Sequence, residues 1–481
     1  MTSAQGQGGG QVVALLPWGD TIEDFLDAIG VSLDAFCDGM SGGWLFGYAE
    51  ALRGAGWKTV IYCISRDAQQ VSRRPHLPSG ATICILPQSA LYRRVTSSMV
   101  DRYANEPQTA FGRPGAGRLS LAQRIAWQVA PYLATPLLRL IRELRRDRCT
   151  SIMVQEYEYA RFDTCMLAGR LLGLPVFASF QGGDQCYRRL ERLLRPLALA
   201  ACSGLVVASA GETTRVADRY GLVAKRIARI PNPLDHQLWY PEDRAAARQS
   251  LGWAQEDTIV IWHGRIDIQR KGLDILLDAW ARLRRARPEM PLRLMLIGDG
   301  GDARALRQSL TAQGDASITW LDRYILDRAL MRRHLGAADI AVLPSRHEGF
   351  PVAPLEAMAC GLPLVGADAP GMPEILEAGE AAGGILVPRG DATDLAAALG
   401  RLIDDVALRQ RLAEAARAHV VARYSFATIG RALAEMLSRP GAGGGGASSK
   451  KPDACLTPMT VADSQLPGAK KRMMSPWRPA A

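Results

Sequence analysis

The stretch DIAVLPSRHEGFPVAPLEAMACG, residues 339–361, decides the fold. An apolar run, Asp339 to Leu343, reads as a strand; a loop follows from Ser345, and Pro354 opens a short segment closed by Gly361. Proline suits the first helical position and glycine the residue just past a helix end, so a helix is predicted from about Pro354 to Cys360. That spacing puts Glu348 in the loop and Glu356 in the first helical turn. Unsatisfied N–H groups at the helix start, with the helix dipole behind them, favour an anion beside Gly349, Phe350, Pro351 and Val352. A carboxylate on either side can accept hydrogen bonds from hydroxyl groups. Taken in isolation, Glu356 would only stabilise its helix terminus and Glu348 would be a solvated loop charge.

Outward from this stretch, short β-branched runs alternate with helical patterns in two series. The first comprises Gln11 to Leu16, Lys58 to Cys63, Thr150 to Val154, Pro175 to Ser179 and Gly204 to Ala208. The second comprises Thr258 to Trp262, Leu292 to Ile297, Ile318 to Leu321, Asp339 to Leu343, Leu364 to Gly366 and Gly384 to Val387. Such alternation predicts parallel strands joined by crossover helices, hence two α/β domains. The break falls at Ile230 to Asp235, where two prolines bracket Asn232 and forbid a continuing helix. The predicted organisation is a disordered N-terminus at 1–10, a first domain at 11–230, a linker at 231–239 and a second domain at 240–417. A helix at 418–437, crossing back to the first domain, and a disordered basic tail at 438–481 complete it.

A chain of 481 residues is too long for one ordinary core. Its net charge of +10 suits anionic partners: nucleoside diphosphates, anionic lipid head groups or nucleic acid. Nine cysteines without a CxxC pair suggest neither a zinc site nor a disulfide framework, and a reducing cytoplasm fits them. Met1 to Gly10 lack the basic start and apolar run of a secretory signal, and no stretch of about 18 apolar residues spans a bilayer. The expected location is cytoplasmic, in solution or peripheral at the inner face of a membrane.

Two further turns follow strands of the second series. His263 to Gly272 carries Arg265, able to clamp phosphate oxygens in a fork, and Lys271, which adds a point charge; both would stabilise a leaving diphosphate. By itself this is a solvated basic loop. Leu292 to Ile297 runs into Gly298, Asp299, Gly300 and Gly301, a turn that permits close backbone approach to a ligand.

Together these segments resemble the retaining glycosyltransferases of family four, which have the GT-B architecture: α/β, two Rossmann-like parallel-sheet domains facing across a cleft. The resemblance runs from about Val12 to Leu437. It rests on GR followed by KG, the IGDG turn, AAD before LPS, and EGFP with a second glutamate eight positions after the first. The interdomain IPNPLD is similar to the family's IPNGVD, and Gly42 and Gly43 precede an N-terminal helix. The resemblance implies that Glu348 holds donor-sugar hydroxyls, that Gly349, Phe350, Pro351 and Val352 offer backbone N–H groups, and that Glu356 binds ribose. It gives the diphosphate to Arg265 and Lys271, with Gly264 and Gly298 lining the donor and Gly43 closing from the other domain. Lys271 stands six residues after Arg265, against the family's usual five; Arg270 stands at five, but Lys271 precedes the glycine and is preferred. Base contacts are expected near Arg323 and Tyr324.

Gln181 stands where many relatives carry a sugar-contacting histidine; it can donate a hydrogen bond but cannot relay a proton near neutral pH. Asp184 is an acceptor-side candidate, with capping of the following helix as its plainer role. The implied reaction moves a hexosyl unit from a nucleotide sugar to an acceptor sugar, glycolipid or other hydroxyl compound. It would proceed with retention, without a metal or other cofactor, in polysaccharide or glycoconjugate synthesis. A non-catalytic GT-B binding protein and a sugar-nucleotide epimerase are the competing readings. No nucleic-acid-binding module is recognisable. A long polar insertion, Trp18 to Met40, is expected to cover the acceptor cleft. Arg139, Arg142, Arg145, Arg146 and Arg148, on an apolar-punctuated helix, suit anionic lipid; a solvated helix face is the blander alternative.

Overall fold

The computed structural model describes residues 10–40, 43–113, 118–181, 188–222 and 226–439. The expectations for residues 1–9, Gly42, Asp184 and the tail from 440 onward lie outside the described residues.

The first sheet has eight strands: β1 (Val12–Leu16), β2 (Lys58–Ser65), β3 (Ser72–His76), β4 (Ala81–Pro87), β5 (Ser151–Gln155), β6 (Val176–Ser179), β7 (Gly204–Val207) and β8 (Ile227–Arg229). Their order is β3-β4-β2-β1-β5-β6-β7-β8, and β3 pairs antiparallel with β4 at the edge. The second sheet has six: β9 (Thr258–His263), β10 (Leu292–Ile297), β11 (Ile318–Leu321), β12 (Ile340–Leu343), β13 (Leu364–Ala367) and β14 (Gly384–Val387). They lie in the order β11-β10-β9-β12-β13-β14, all parallel. The helices that cover the first sheet, carry the crevice loops and join the domains are α1 (Gly43–Gly54), α2 (Leu121–Ala134), α3 (Leu137–Arg146), α4 (Ala160–Leu172), α5 (Arg189–Ala201), α6 (Ile268–Lys271), α7 (Ala353–Ala359), α8 (Val406–Tyr424) and α9 (Phe426–Leu437).

Strand β1 shows why the first sheet is covered on both faces. All five of its residues are buried, as expected of a parallel strand between helical layers. Alternate side chains point opposite ways, so Val13 and Leu15 join a core with Phe46 of α1 and Leu433 of α9. Val12, Ala14 and Leu16 join another core with Leu140 of α3, Phe162 of α4 and Leu199 of α5.

The chain passes between domains twice, side by side. The first passage, at Ile230 to Asp235, is fixed where the Leu234 N–H donates to the Tyr424 carbonyl at 2.7 Å, and Leu234 bridges to Ser425. The second passage, at Ser425, leads into α9, whose Gly430 lies against α1. A Cβ on Gly430 would stand 2.1 Å from the Ala51 carbonyl oxygen, so the two helices touch backbone to backbone.

Three strands differ from the sequence reading: β3, β4 and β8 were not expected. The insertion after β1 also differs from a polar cover. Ile22, Leu26, Val31 and Phe36 are core residues on the α1 side of the first sheet, and its polar residues include Asp34 and Asp38, paired to Arg74 of β3 at 2.5 and 2.6 Å. The arginine-rich helix ends at Arg146, leaving Arg148 beyond it at φ +51°.

Candidate functional site

In the second sheet β9 lies between β10 and β12, so strand order reverses there and a crevice opens beyond the carboxyl ends of the strands. Three loops converge on it. The turn after β9 and the turn after β10 are laid on one another: the Ile266 N–H donates to the Asp299 carbonyl at 2.9 Å. Gly298, at φ +146°, is pressed so close that an added Cβ would fall 1.8 Å from the Gly264 oxygen. Only glycine tolerates both the conformation and the approach.

The third loop is brought in by α6. Asp267 caps this single turn by accepting from the Arg270 N–H at 3.0 Å, and Gly272 ends it at φ +66°. A Cβ on Gly272 would lie 2.1 Å from the Pro344 oxygen, so the end of α6 sits directly on the residues following β12. The Arg346 and His347 N–H groups both donate to the Arg270 carbonyl, at 2.9 and 3.3 Å. Lys271 is thereby delivered to Glu348: its Nζ lies 2.7 and 2.9 Å from the two carboxylate oxygens, and Ser345 Oγ donates to the same carboxylate at 2.7 Å. The side chains are 17% and 7% exposed, so this is a nearly buried, doubly satisfied ion pair. Arg265 is half exposed, with its guanidinium 3.8 Å from Asp267.

Helix α7 begins at Ala353, with Pro354 second, and Gly361 follows it at φ +79°. Glu356 lies in its first turn, 3.9 Å from His263 at the end of β9. Burial pushes the His263 imidazole down to about 4, so the ring is neutral, and since a carbonyl only accepts, it is the Nε2–H that donates to the Ala353 oxygen at 3.2 Å. Tyr324, about half exposed, lies near enough to Glu356 to feel its charge.

Burial pushes the Glu356 carboxyl up to about 7, partly offset by Arg328. A folded-state value above the ordinary 4.5 means that the folded protein binds the extra proton between those two limits. Its contribution to stability is therefore fully present below the ordinary value and lost as pH rises through about 7. Glu356→Gln should be more stable than wild type at about pH 8, by roughly 1–3 kcal/mol, with the gain shrinking towards about pH 5. Urea unfolding at the two pH values checks this; an identical difference at both would refute it.

On the first-domain side, the Gln181 N–H donates to Glu156 Oε1 at 2.8 Å. Glu156 itself adopts φ +61°, a conformation uncommon outside glycine, right after β5. The Gln181 side chain is held from the linker: Asn232 Nδ2 donates to Gln181 Oε1 at 2.9 Å and to the Phe350 carbonyl at 3.2 Å. One buried amide thus ties the strand end of the first domain to the loop after β12. Next to it, Pro233 packs so closely on Gly47 of α1 that a Cβ there would stand 3.2 Å from the ring.

The structure therefore brings together Lys271 and Glu348, and, separately, Glu356, His263 and Tyr324. Gly349 is held by Gly371, whose own Cβ would meet the Gly349 oxygen at 2.7 Å. Phe350 and Pro351 are buried and Val352 half-buried; Gly43 is the first residue of α1. Ser345, His263, Asn232 and Gly272 stand in the quoted motifs, but the sequence assigns none of them a role at the site. A glycine directly after a lysine, and an asparagine between two prolines, were the available signals. Among the described residues no three His, Cys, Asp or Glu side chains form a metal-binding group.

Residues 257–405, within the second domain, match the family model described as glycosyl transferases group 1. The fold as a whole is GT-B. Over 89% of the chain it superposes on sucrose-phosphate synthase from Thermosynechococcus elongatus, covering 98% of that chain with a TM-score of 0.63 at 20% identity. HepE of Anabaena, solved with UDP-glucose, is covered over 99% of its chain from 89% of this one, with a TM-score of 0.62 at 18% identity. In sequence, the chain is 32% identical over 282 residues to a D-inositol 3-phosphate glycosyltransferase of Geodermatophilus obscurus, 55% of this chain and 61% of the relative. It is also 32% identical over 204 residues to a GDP-mannose-dependent monoacylated alpha-(1-6)-phosphatidylinositol monomannoside mannosyltransferase of Corynebacterium glutamicum, 41% of this chain and 51% of the relative. The matched portion thus spans between half and two thirds of these relatives.

Proposed function

We propose that the protein is a glycosyltransferase that moves a hexosyl unit from a nucleoside diphosphate sugar to an acceptor hydroxyl, with retention and without a metal ion. The observation that carries this reading is the Lys271–Glu348 pair, which joins the loop after β9 to the loop after β12 at the strand-order reversal. A cation and a carboxylate fixed side by side suit a ligand whose diphosphate and sugar hydroxyls are adjacent. Glu348 accepts hydrogen bonds from the sugar, while Lys271 and Arg265 face the diphosphate. Glu356 and Tyr324, together at the start of α7, take the ribose and base.

In the step itself, the bond between the anomeric carbon and the β-phosphate oxygen breaks, and the acceptor oxygen bonds to that carbon on the same face. The acceptor's proton passes to the departing phosphate oxygen. Lys271 and Arg265 stabilise the charge that develops on this leaving group. Gln181, clamped by Asn232, orients a sugar hydroxyl rather than moving a proton.

A panel of UDP-, GDP-, ADP- and TDP-sugars tests the reading. One of them should raise the melting temperature and be consumed with release of its nucleoside diphosphate, since ligand binding to the native state stabilises it. Stabilisation without consumption under any acceptor would favour a binding protein, an isomerised donor would favour an epimerase, and no response to any donor would refute nucleotide-sugar binding.

A further inference from the structure

Helices α2, α3, α4 and α5 form one side of the first domain, opposite α1 and α9. Three of them expose an apolar pair one turn apart: Leu121 and Ile125 on α2, Leu167 and Leu171 on α4, Leu193 and Leu197 on α5. Leu193 and Leu197 are 70% and 69% exposed, and Leu138 of α3 is 81% exposed. Exposed arginines stand on the same four helices, among them Arg124, Arg142, Arg145, Arg170 and Arg189.

The acidic residues of these four helices behave in the opposite way. There are three, Glu143, Asp163 and Glu191, with side chains only 7%, 6% and 5% exposed. Glu143 is paired to Arg73 at 2.5 Å, Asp163 to Arg195 at 2.9 Å, and Glu191 accepts from the Arg188 N–H at 3.1 Å. Among the described residues, the outer faces of these four helices therefore present leucine and arginine with no carboxylate. An ordinary solvated helix face mixes both signs of charge and does not carry leucine pairs.

We infer that this face lies on a bilayer surface containing anionic phospholipids, with the leucines entering the interfacial region and the arginines meeting head-group phosphates. Charge complementarity selects this occupant. A second copy of the chain would set arginines against arginines, whereas an anionic bilayer attracts each of them and accepts the leucines at its apolar boundary. This surface is independent of the reaction proposed above: it uses none of the donor-site side chains, and lipid binding is measured without any donor present.

Vesicle flotation of the full chain tests it, using phosphatidylcholine alone and phosphatidylcholine mixed with phosphatidylglycerol. The protein should float with the mixed vesicles and stay behind with phosphatidylcholine. Leu193→Asp with Leu197→Asp, and separately Arg142→Glu with Arg145→Glu, should each weaken flotation at least about ten-fold at an unchanged melting temperature, as expected for surface substitutions. Failure to float, or flotation of both variants as strong as wild type, would overturn the inference, the latter placing any binding elsewhere in the chain. A wild-type dimer in solution that the leucine variant dissociates would assign the face to a second copy and overturn it as well.

Discussion

Lys271→Ala should lower donor turnover by about 10²–10³-fold, the usual loss when one preorganised donor to a developing anion is removed. It should also lower the melting temperature. Glu348 is left nearly buried, with Ser345 Oγ as its remaining hydrogen-bond donor in place of an ammonium at 2.7 Å, and a buried charge stripped of its partner costs about 3–5 kcal/mol. Arg265→Ala separates the two effects. Its side chain is 50% exposed and its ion pair with Asp267 is a long one, at 3.8 Å, so turnover should fall with little change in stability. Turnover assays and thermal melts on both variants check the pair. Near-normal turnover in both would remove the diphosphate role, and a lower melting temperature with normal turnover in Lys271→Ala would make that pair purely structural.

Gly298→Ala should damage the second domain more than any surface change. The added methyl would stand 1.8 Å from the Gly264 oxygen, at a φ of +146° that side-chain-bearing residues rarely adopt. Relieving the overlap forces apart the two turns that shape the crevice. Strain at such a position, together with displaced packing, predicts a loss of at least about 3 kcal/mol, which is on the order of 10 °C in melting temperature for a domain of this size. Gly301→Ala is the control, since nothing lies within 4 Å of its added Cβ. It should stay within about 0.5 kcal/mol of wild type. A Gly298→Ala protein as stable as the control would show that the two turns are not in contact as described.

Much of the fold was readable because parallel strands buried on both faces are continuous apolar runs. Leu292–Ile297 and Gly384–Val387 match their expected ends. The strands that escaped lack the expected setting. Ser72–His76 is a polar edge strand containing Pro75, Ala81–Pro87 returns from it as a hairpin without a crossover helix, and Ile227–Arg229 has only three residues. The apolar residues of the insertion after β1 follow no long period; Ile22 and Leu26 reach the core from one short turn and Phe36 from another. At the site, residue types and motif order were legible, but partners were not. Lys271 and Glu348 are 77 residues apart, and Asn232 lies 51 from Gln181 and 118 from Phe350. Such pairings depend on how two sheets stack their loops, which local pattern does not encode.

The helix seated on Ala51 through Gly430 sets the order in which the protein can be finished. Every residue of the second domain is translated between β8 and α9. At ordinary synthesis speeds of roughly 5–20 residues per second, the groove on α1 waits on the order of tens of seconds for its last covering element. The domain that leaves the ribosome first is therefore the last to be completed, and until α9 arrives the apolar residues of α1 that it covers have no partner from their own chain.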